Sequence, residues 1–431
     1  MTEDKHNLDN EYKISLSNNK EINKEINKDT DNNSINSDSS FYSIIQYKST
    51  IRSFGKGNYI RLIREMSNGY ILVLQNQNDI SIYEKNFKYK GIIKFSSINN
   101  IGLSNTSKNS KKIINKIISN LIETNYSINI KDQNLIQIIE CSKEGLLIYN
   151  SDLNNIGNKD ILSSLKLSCT GCFEIKNNYV VVGEKGVFHF EDLKVNNDLE
   201  EYRIDELPIR GCIKINDNYI VLTSNSILPK GEDILCIYDT NIKRFIKSIE
   251  FSFVIEENGL NLMDVLEEED EKDKKNNRKL LLCACKKYIE SQNNGILIMD
   301  TNIGEKQKLF YVFYDTDDFE VNCFCPLKIK KNSELIITNY FLAGGLEKDK
   351  RQGMIKLYKV EYNEKGNDKI NIEYLQDIII ETNDEFKGFD NNIICINQNQ
   401  SNGKILISSS DGNLYLFSEP NLDYYLEENL I

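Results

Sequence analysis

The sequence predicts an all-β chain, a seven-bladed β-propeller of four-stranded antiparallel sheets, behind a low-complexity N-terminal tail. Three observations predict it. A pair of short apolar segments joined by a turn recurs about seven times between Tyr70 and Phe417. The first member of each pair is a nearly unbroken apolar run, the pattern of a strand buried on both faces. One such hairpin buries too little surface to stand alone, so a series of them must stack and share a core.

Residues 1–40 are Asn, Lys, Glu, Asp and Ser with few large apolar side chains. Such a segment cannot bury enough surface to offset chain entropy, so disorder is expected there. The propeller is expected over residues 41–431. In chain order, the pairs join Tyr70–Leu74 to Ile80–Tyr83, Leu135–Ile139 to Leu146–Tyr149, Tyr179–Val182 to Val187–Phe190 and Tyr219–Leu222 to Leu235–Tyr238. Then Leu280–Ala284 joins Ile296–Met299, Leu335–Thr338 joins Ile355–Tyr358, and Lys404–Ile407 joins Leu414–Phe417. The turns between them carry Gly, Asp or Asn, which adopt positive φ at little cost.

The second members start roughly 40 to 65 residues apart, room for four strands per unit. Alternating segments such as Gly171–Ile175, Gly211–Ile215, Val321–Cys325 and Asn392–Ile396 precede most pairs and read as further strands. Phe245–Ile249 and Leu309–Phe313 supply the remaining one. The first ordered strand, near Phe41 to Tyr47, is expected to complete the sheet begun at the C-terminus, because closure hides two sheet edges. Residues 97–132, with room for a short helix over Lys111–Glu123, and residues 264–278 are expected to be polar loop insertions. A degenerate unit hidden in 97–132 would make eight blades, and six is also open.

The chain has 431 residues, 40% of them hydrophobic, ample for one large core. Its net charge is −12. Such a surface repels phosphate backbones and anionic lipid leaflets, so no nucleic-acid partner is expected. Met1–His6 has no apolar core like that of a signal peptide, and no run approaches the ~18 apolar residues that span a bilayer. Ten cysteines in that context read as reduced thiols, so a cytoplasmic or nuclear chain without a membrane segment is expected.

The tail Ser410-Asp-Gly-Asn-Leu-Tyr-Leu-Phe417 resembles the end of a WD repeat. Gln352-Gly-Met-Ile-Lys-Leu-Tyr358 and Asp233-Ile-Leu-Cys-Ile-Tyr-Asp239 look similar. The resemblance covers about residues 41 to 420 as degenerate copies. No copy opens with Gly-His, and Tyr, Phe or Met stands where the family has Trp. The only histidines are His6 and His189, so the family's histidine-centred hydrogen-bond network has no counterpart. The resemblance implies a non-catalytic scaffold that binds other proteins through loops on one face and the mouth of the central channel. It implies no cofactor and no catalytic residue, and a chain that is a monomer or a subunit of a hetero-complex.

Arg52, Arg210 and Phe389 are the candidate contact residues. Arginine and aromatic side chains dominate interaction hot spots, and each of the three sits beside an expected strand start. Two alternatives stand beside the scaffold. A propeller enzyme holding a metal in its channel would need carboxylates such as Glu174, Glu320 and Asp390 to converge. A phosphoinositide-binding propeller would use Arg210 of Pro208-Ile-Arg-Gly211, which lacks the second arginine of that family's clamp. Cys169-Thr-Gly-Cys172 has zinc-site spacing, and Cys283/Cys285 and Cys323/Cys325 put two thiols on one strand face. With so few histidines, all six are expected to be core residues. His189 is expected to be a lone histidine within a blade, since no nucleophile stands near it in sequence.

Overall fold

The computed structural model describes strands and their tighter connections between residues 45 and 420. Residues 1–44 and 421–431 lie outside the described residues, as do many connections, among them 94–124, 192–202, 267–276 and 302–310. The expected N-terminal tail and the expected helix over Lys111–Glu123 therefore fall outside them.

Every described element is a strand, and seven of the described sheets are four-stranded and antiparallel. The chain enters through β1 (Tyr47–Ser53), which belongs to the last sheet. Sheet I is β2 (Ile60–Glu65), β3 (Ile71–Gln75), β4 (Ile80–Tyr83) and β5 (Tyr89–Ile93). Sheet II is β6 (Asn125–Ile130), β7 (Leu135–Cys141), β8 (Leu146–Asp152) and β9 (Lys159–Leu165). Sheet III is β10 (Gly171–Ile175), β11 (Asn178–Gly183), β12 (Gly186–Phe190) and β13 (Arg203–Asp205). Sheet IV is β14 (Ile209–Lys214), β15 (Tyr219–Asn225), β16 (Asp233–Asp239) and β17 (Arg244–Phe251). Sheet V is β18 (Val254–Leu266), β19 (Asn277–Lys286), β20 (Asn294–Asp300) and β21 (Tyr311–Asp317). Sheet VI is β22 (Phe319–Lys331), β23 (Glu334–Glu347), β24 (Gln352–Tyr362) and β25 (Ile370–Ile378). A small ribbon of β26 (Ile380–Thr382) and β27 (Glu385–Lys387) follows. Sheet VII joins β28 (Ile393–Gln398), β29 (Ile405–Ser409) and β30 (Asn413–Phe417) to β1.

The expected pairs are the second and third strands of these sheets. Their apolar runs bury alternate residues against two different neighbours. In sheet VII, Ile405, Ile407, Tyr415 and Phe417 pack with sheet VI, while Leu406, Leu414 and Leu416 pack with sheet I. Sheet VI turns Leu342 to sheet VII and Phe341 and Ala343 to sheet V. Sheet V turns Leu281, Cys283 and Cys285 to sheet IV, and sheet IV turns Ile220 and Leu222 to sheet III. Sheet III turns Val181, Phe188 and Phe190 to sheet II. Fully burying one such Leu or Ile is worth roughly 1.5–3 kcal/mol, so sheets III to VII each draw stability from the two beside them.

Sheet VII shows the turn chemistry. Gly412 has φ +85°. The Asp411 Oδ1 accepts the Asn413 backbone N–H at 2.9 Å, and the Gly412 N–H donates to the Ser409 carbonyl at 3.1 Å. An Asp-Gly pair satisfies both demands, a side-chain acceptor and a left-handed backbone.

The N-terminal strand does close the C-terminal sheet. Tyr47 opposes Phe417 and Thr50 opposes Tyr415. The Tyr47 ring meets Tyr415 and Phe417 edge-on, at 6.4 and 5.6 Å between centroids. The described strand starts at Tyr47, just after Ile45, which is fully buried between sheets VI and VII, and Phe41 lies outside the described residues.

Three boundaries differ from expectation. Leu335–Thr338 does not oppose Ile355–Tyr358. Phe341 opposes Tyr358 and Gly344 opposes Ile355, while Leu335 pairs with Lys330 of β22. Gly344-Gly345 lies inside β23, where neighbours crowd it. A Cβ on Gly345 would lie 1.9 Å from the Glu320 carbonyl oxygen. The insertion expected over 97–132 ends early, since Asn125–Ile130 is β6 and pairs with β7. Its Asn and Ser mask a period-two alternation of Tyr126, Ile128 and Ile130. The insertion expected over 264–278 is likewise shorter, because Asp264–Leu266 pairs with Asn277–Lys279.

One side chain joins sheets VI and VII as a strand would. The buried Gln398 donates from Nε2 to the Lys328 carbonyl at 2.7 Å and to the Gly403 carbonyl at 2.9 Å. Its Oε1 accepts the Lys328 N–H at 2.8 Å. Gln398→Leu strands both backbone groups of Lys328 and is expected to cost about 2–3 kcal/mol, measured by chemical unfolding. Gln400→Ala removes the exposed bond from Lys328 Nζ and a 3.2 Å bond from Nε2 to the Gln398 carbonyl, leaves both backbone groups of Lys328 paired, and is expected to cost less than ~1 kcal/mol.

Candidate interaction surfaces

The first strands lie side by side: β2 on β28, β28 on β22, β22 on β18, β18 on β14, β14 on β10 and β10 on β6. Each is an edge strand of its sheet, so its free carbonyls need other donors. Side chains from the adjacent sheet supply them. Thr170 Oγ1 donates to the Ile209 carbonyl at 2.9 Å, and Lys214 Nζ to the Glu174 carbonyl at 3.0 Å. Asn261 Nδ2 donates to the Phe324 carbonyl at 2.8 Å, and Asn322 Nδ2 to the Ile393 carbonyl at 3.3 Å. These contacts line up the first strands of adjacent sheets as a continuous rim.

Arg210 lies on the rim, half-buried in β14 next to Ile209. Arg52 lies in β1, opposite Leu414, on the fourth strand of sheet VII. The structure does not bring these two together, and Phe389 lies outside the described residues. Of the three carboxylates weighed for a metal, Asp390 is outside them too. Glu320 forms ion pairs with Lys286 at 2.6 Å and Lys348 at 3.4 Å. Burial alone would raise its carboxyl, but the two ammoniums outweigh burial and hold it below the usual range. Among the described residues no three His, Cys, Asp or Glu side chains are placed to hold a metal ion.

Cys169 and Cys172 sit in the apolar cluster between sheets II and III with Cys141, Leu167 and Phe188. Contact with Cys169, then burial, pushes the Cys141 thiol well up, and burial does the same to Cys172. Burial raises Cys212 and Cys325 to about 12 and Cys395 to about 11. Thiols held neutral in this way are poor nucleophiles. His189 is buried in β12, and neither ring nitrogen has a hydrogen-bond partner among the described residues. Burial, and then the positive charge of Lys243, lower its pKa against the opposing pull of Glu191.

Sequence reasoning missed one surface. The hairpin between β4 and β5 reads Glu84-Lys-Asn-Phe-Lys-Tyr-Lys90, lysines interleaved with aromatic rings. Lys85, Lys88, Tyr89 and Lys90 are exposed, and Phe87 takes φ +68° at the tip. Lys90 Nζ donates to the Tyr70 hydroxyl at 2.5 Å and stands 4.0 Å from the centre of that ring. The stem of Lys85 lies over Gly69, where a Cβ would meet it at 3.2 Å. From sheet VII, Lys404 Nζ reaches within 6.0 Å of the Phe87 ring centre.

No protein-family model matches the sequence, and no curated protein matches it. Solved structures do share the fold. A chain in the crystal structure of Chaetomium thermophilum Raptor aligns with TM-score 0.51 at 11% identity, over 88% of this chain and 30% of that one. This chain thus spans less than a third of that Raptor chain. A chain in the crystal structure of a mitotic checkpoint complex aligns with TM-score 0.48 at 10% identity, over 92% of this chain and 98% of that one. The Raptor likeness shows the fold alone. Among the described residues no helix is long and apolar enough to cross a membrane.

Two measurements check this chemistry. Iodoacetamide at mildly alkaline pH is expected to leave most of the ten thiols unlabelled in the native chain and to label all of them in denaturant, as read by intact mass. The lowered pKa of His189 means that the unfolded chain binds a proton which the folded chain refuses. Its contribution to stability is therefore lost as pH falls below about 6.5, at no more than ~1.4 kcal/mol per pH unit. Relative to the wild type, His189→Gln is expected to lose less stability between pH 7.5 and 5.5 in denaturant titrations at about those pH values.

Proposed function

We propose that the chain is a seven-bladed, WD-repeat-like propeller that serves as a non-catalytic scaffold for other proteins in the cytoplasm or nucleus. One observation carries this reading. Sheet VII is built from both ends of the described chain and packs on sheet I, so the last unit returns to the first. A ring of that kind spends its apolar residues on the junctions between blades. What it offers a partner is its loops, its outer strands and the rim of the first strands. Arg210 is the proposed contact on that rim, with Arg52 on the outer strand of sheet VII and Phe389 as further proposed contacts.

Affinity purification of the tagged chain from its native cells is expected to return at least one protein in near-equimolar amount. That partner is expected to be weakened by Arg210→Glu. A chain that instead purifies alone with one equivalent of zinc or calcium, read by elemental analysis, contradicts the scaffold in favour of a channel metal.

A further inference from the structure

We propose that the surface formed by Lys85, Lys88, Lys90 and Lys404 around Tyr70, Phe87 and Tyr89 docks an acidic peptide segment of a protein partner. The inference rests on the scaffold reading and names the class of partner. The chain carries 65 acidic and 53 basic residues, yet among the described residues none of these four ammoniums is ion-paired. Of the carboxylates beside them, the exposed Glu419 lies against Gly403, next to Lys404, and the others are engaged or recessed. Glu65 accepts the backbone N–H of Gln400, and Glu84 is half-buried at the base of the hairpin.

The cations are also held in place. The backbone turns back on itself at Phe87, whose N–H donates to the Glu84 carbonyl at 2.8 Å, while the Glu84 N–H donates to the Lys88 carbonyl at 2.9 Å. A left-handed phenylalanine is a strained conformation, and the turn that holds it fixes Lys85 and Lys88 on either side. Lys90 and Lys404 stand over aromatic rings, where the ring quadrupole favours a cation. Ordering four lysines before a ligand arrives lowers the entropy that binding must overcome.

The same details select among anions. Bases of a single nucleic-acid strand need free ring faces. Here an ammonium covers one face of Tyr70 and lies near that of Phe87. No arginine of the patch offers the bidentate fork that suits phosphate, whereas lysine point charges suit carboxylates spread along a peptide. Tyr89, 45% exposed, adds an apolar contact for a hydrophobic residue between the acids. Against a chain of net charge −12, the positive potential of this hairpin steers an acidic segment toward it.

The test uses the purified full chain and a fluorescein-labelled peptide of about ten residues, mostly glutamate with one phenylalanine, read by anisotropy at ~50 mM and ~0.3 M salt. Saturable binding is expected at low salt, weakened about tenfold or more by the pair Lys85→Glu and Lys88→Glu and by higher salt. Lys243→Glu, on sheet IV, is expected to leave it unchanged. Lys85→Met with Lys88→Met provides a second variant without added charge, and unfolding curves identify any variant that is not folded. Equal binding by the wild type and both double variants overturns the proposal. So does tighter binding of oligouridylate or anionic vesicles that the same variants abolish. If the peptide fails while affinity purification still returns an equimolar partner, the docking surface falls and the scaffold stands.

Discussion

Among the described residues, the sheets bury apolar side chains on both faces, and that constraint governs the rest of the structure. A sheet exposed on one side would show water a row of Ile, Leu and Val. Each must therefore be flanked twice, and a linear stack would leave two raw faces at its ends. Returning the chain to its start removes them. Here the return is covalently interleaved: β1 leaves the N-terminal side of sheet I and supplies the outer strand of sheet VII. The bond between first and last units is thus a ladder of backbone hydrogen bonds as well as a packed interface.

The polar contacts are organised around the groups that such a stack strands. Inner-edge carbonyls of first strands receive Thr, Lys and Asn side chains from the next sheet. Third strands carry buried bulky residues: Tyr83, Phe190, Tyr238, Met299, Tyr358 and Phe417. Tyr358 stacks on Phe341 at 5.3 Å and meets Tyr314 and Tyr374 edge-on. In place of a histidine-centred network, hydroxyls close the turns. Thr240 Oγ1 donates to the Asp217 carbonyl at 2.8 Å, and Thr301 Oγ1 to the Lys279 carbonyl at 2.7 Å. Tyr362 of sheet VI donates to Asp300 of sheet V at 2.8 Å.

The second and third strands were legible because they are buried on both sides and so carry uninterrupted apolar runs. Strands outside these runs were harder. β6 is diluted by Asn and Ser, and β13, β26 and β27 are each three residues long, too short to show a period. The register of β23 was hidden by Gly344-Gly345, because a doublet that signals a turn in sequence serves here as clearance for the Glu320 backbone. The surface around Lys85 and Lys90 escaped for a different reason. A net charge of −12 averages over the whole chain and hides a local basic hairpin, and Lys404 joins Phe87 only through the packing of sheet VII on sheet I. Arg52 looked like a residue at a strand start and proved to lie inside the closing strand.

Hydrogen exchange in the intact chain examines the closure most directly. In sheet VII, β30 is an interior strand only because β1 lies beside it. The amides of Leu414, Tyr415, Leu416 and Phe417 are expected to be protected as strongly as those of Ile405, Leu406 and Ile407 in β29. Rapid exchange of alternate amides along β30, the signature of an unpaired edge, with β29 still protected, would show an open stack and contradict the account.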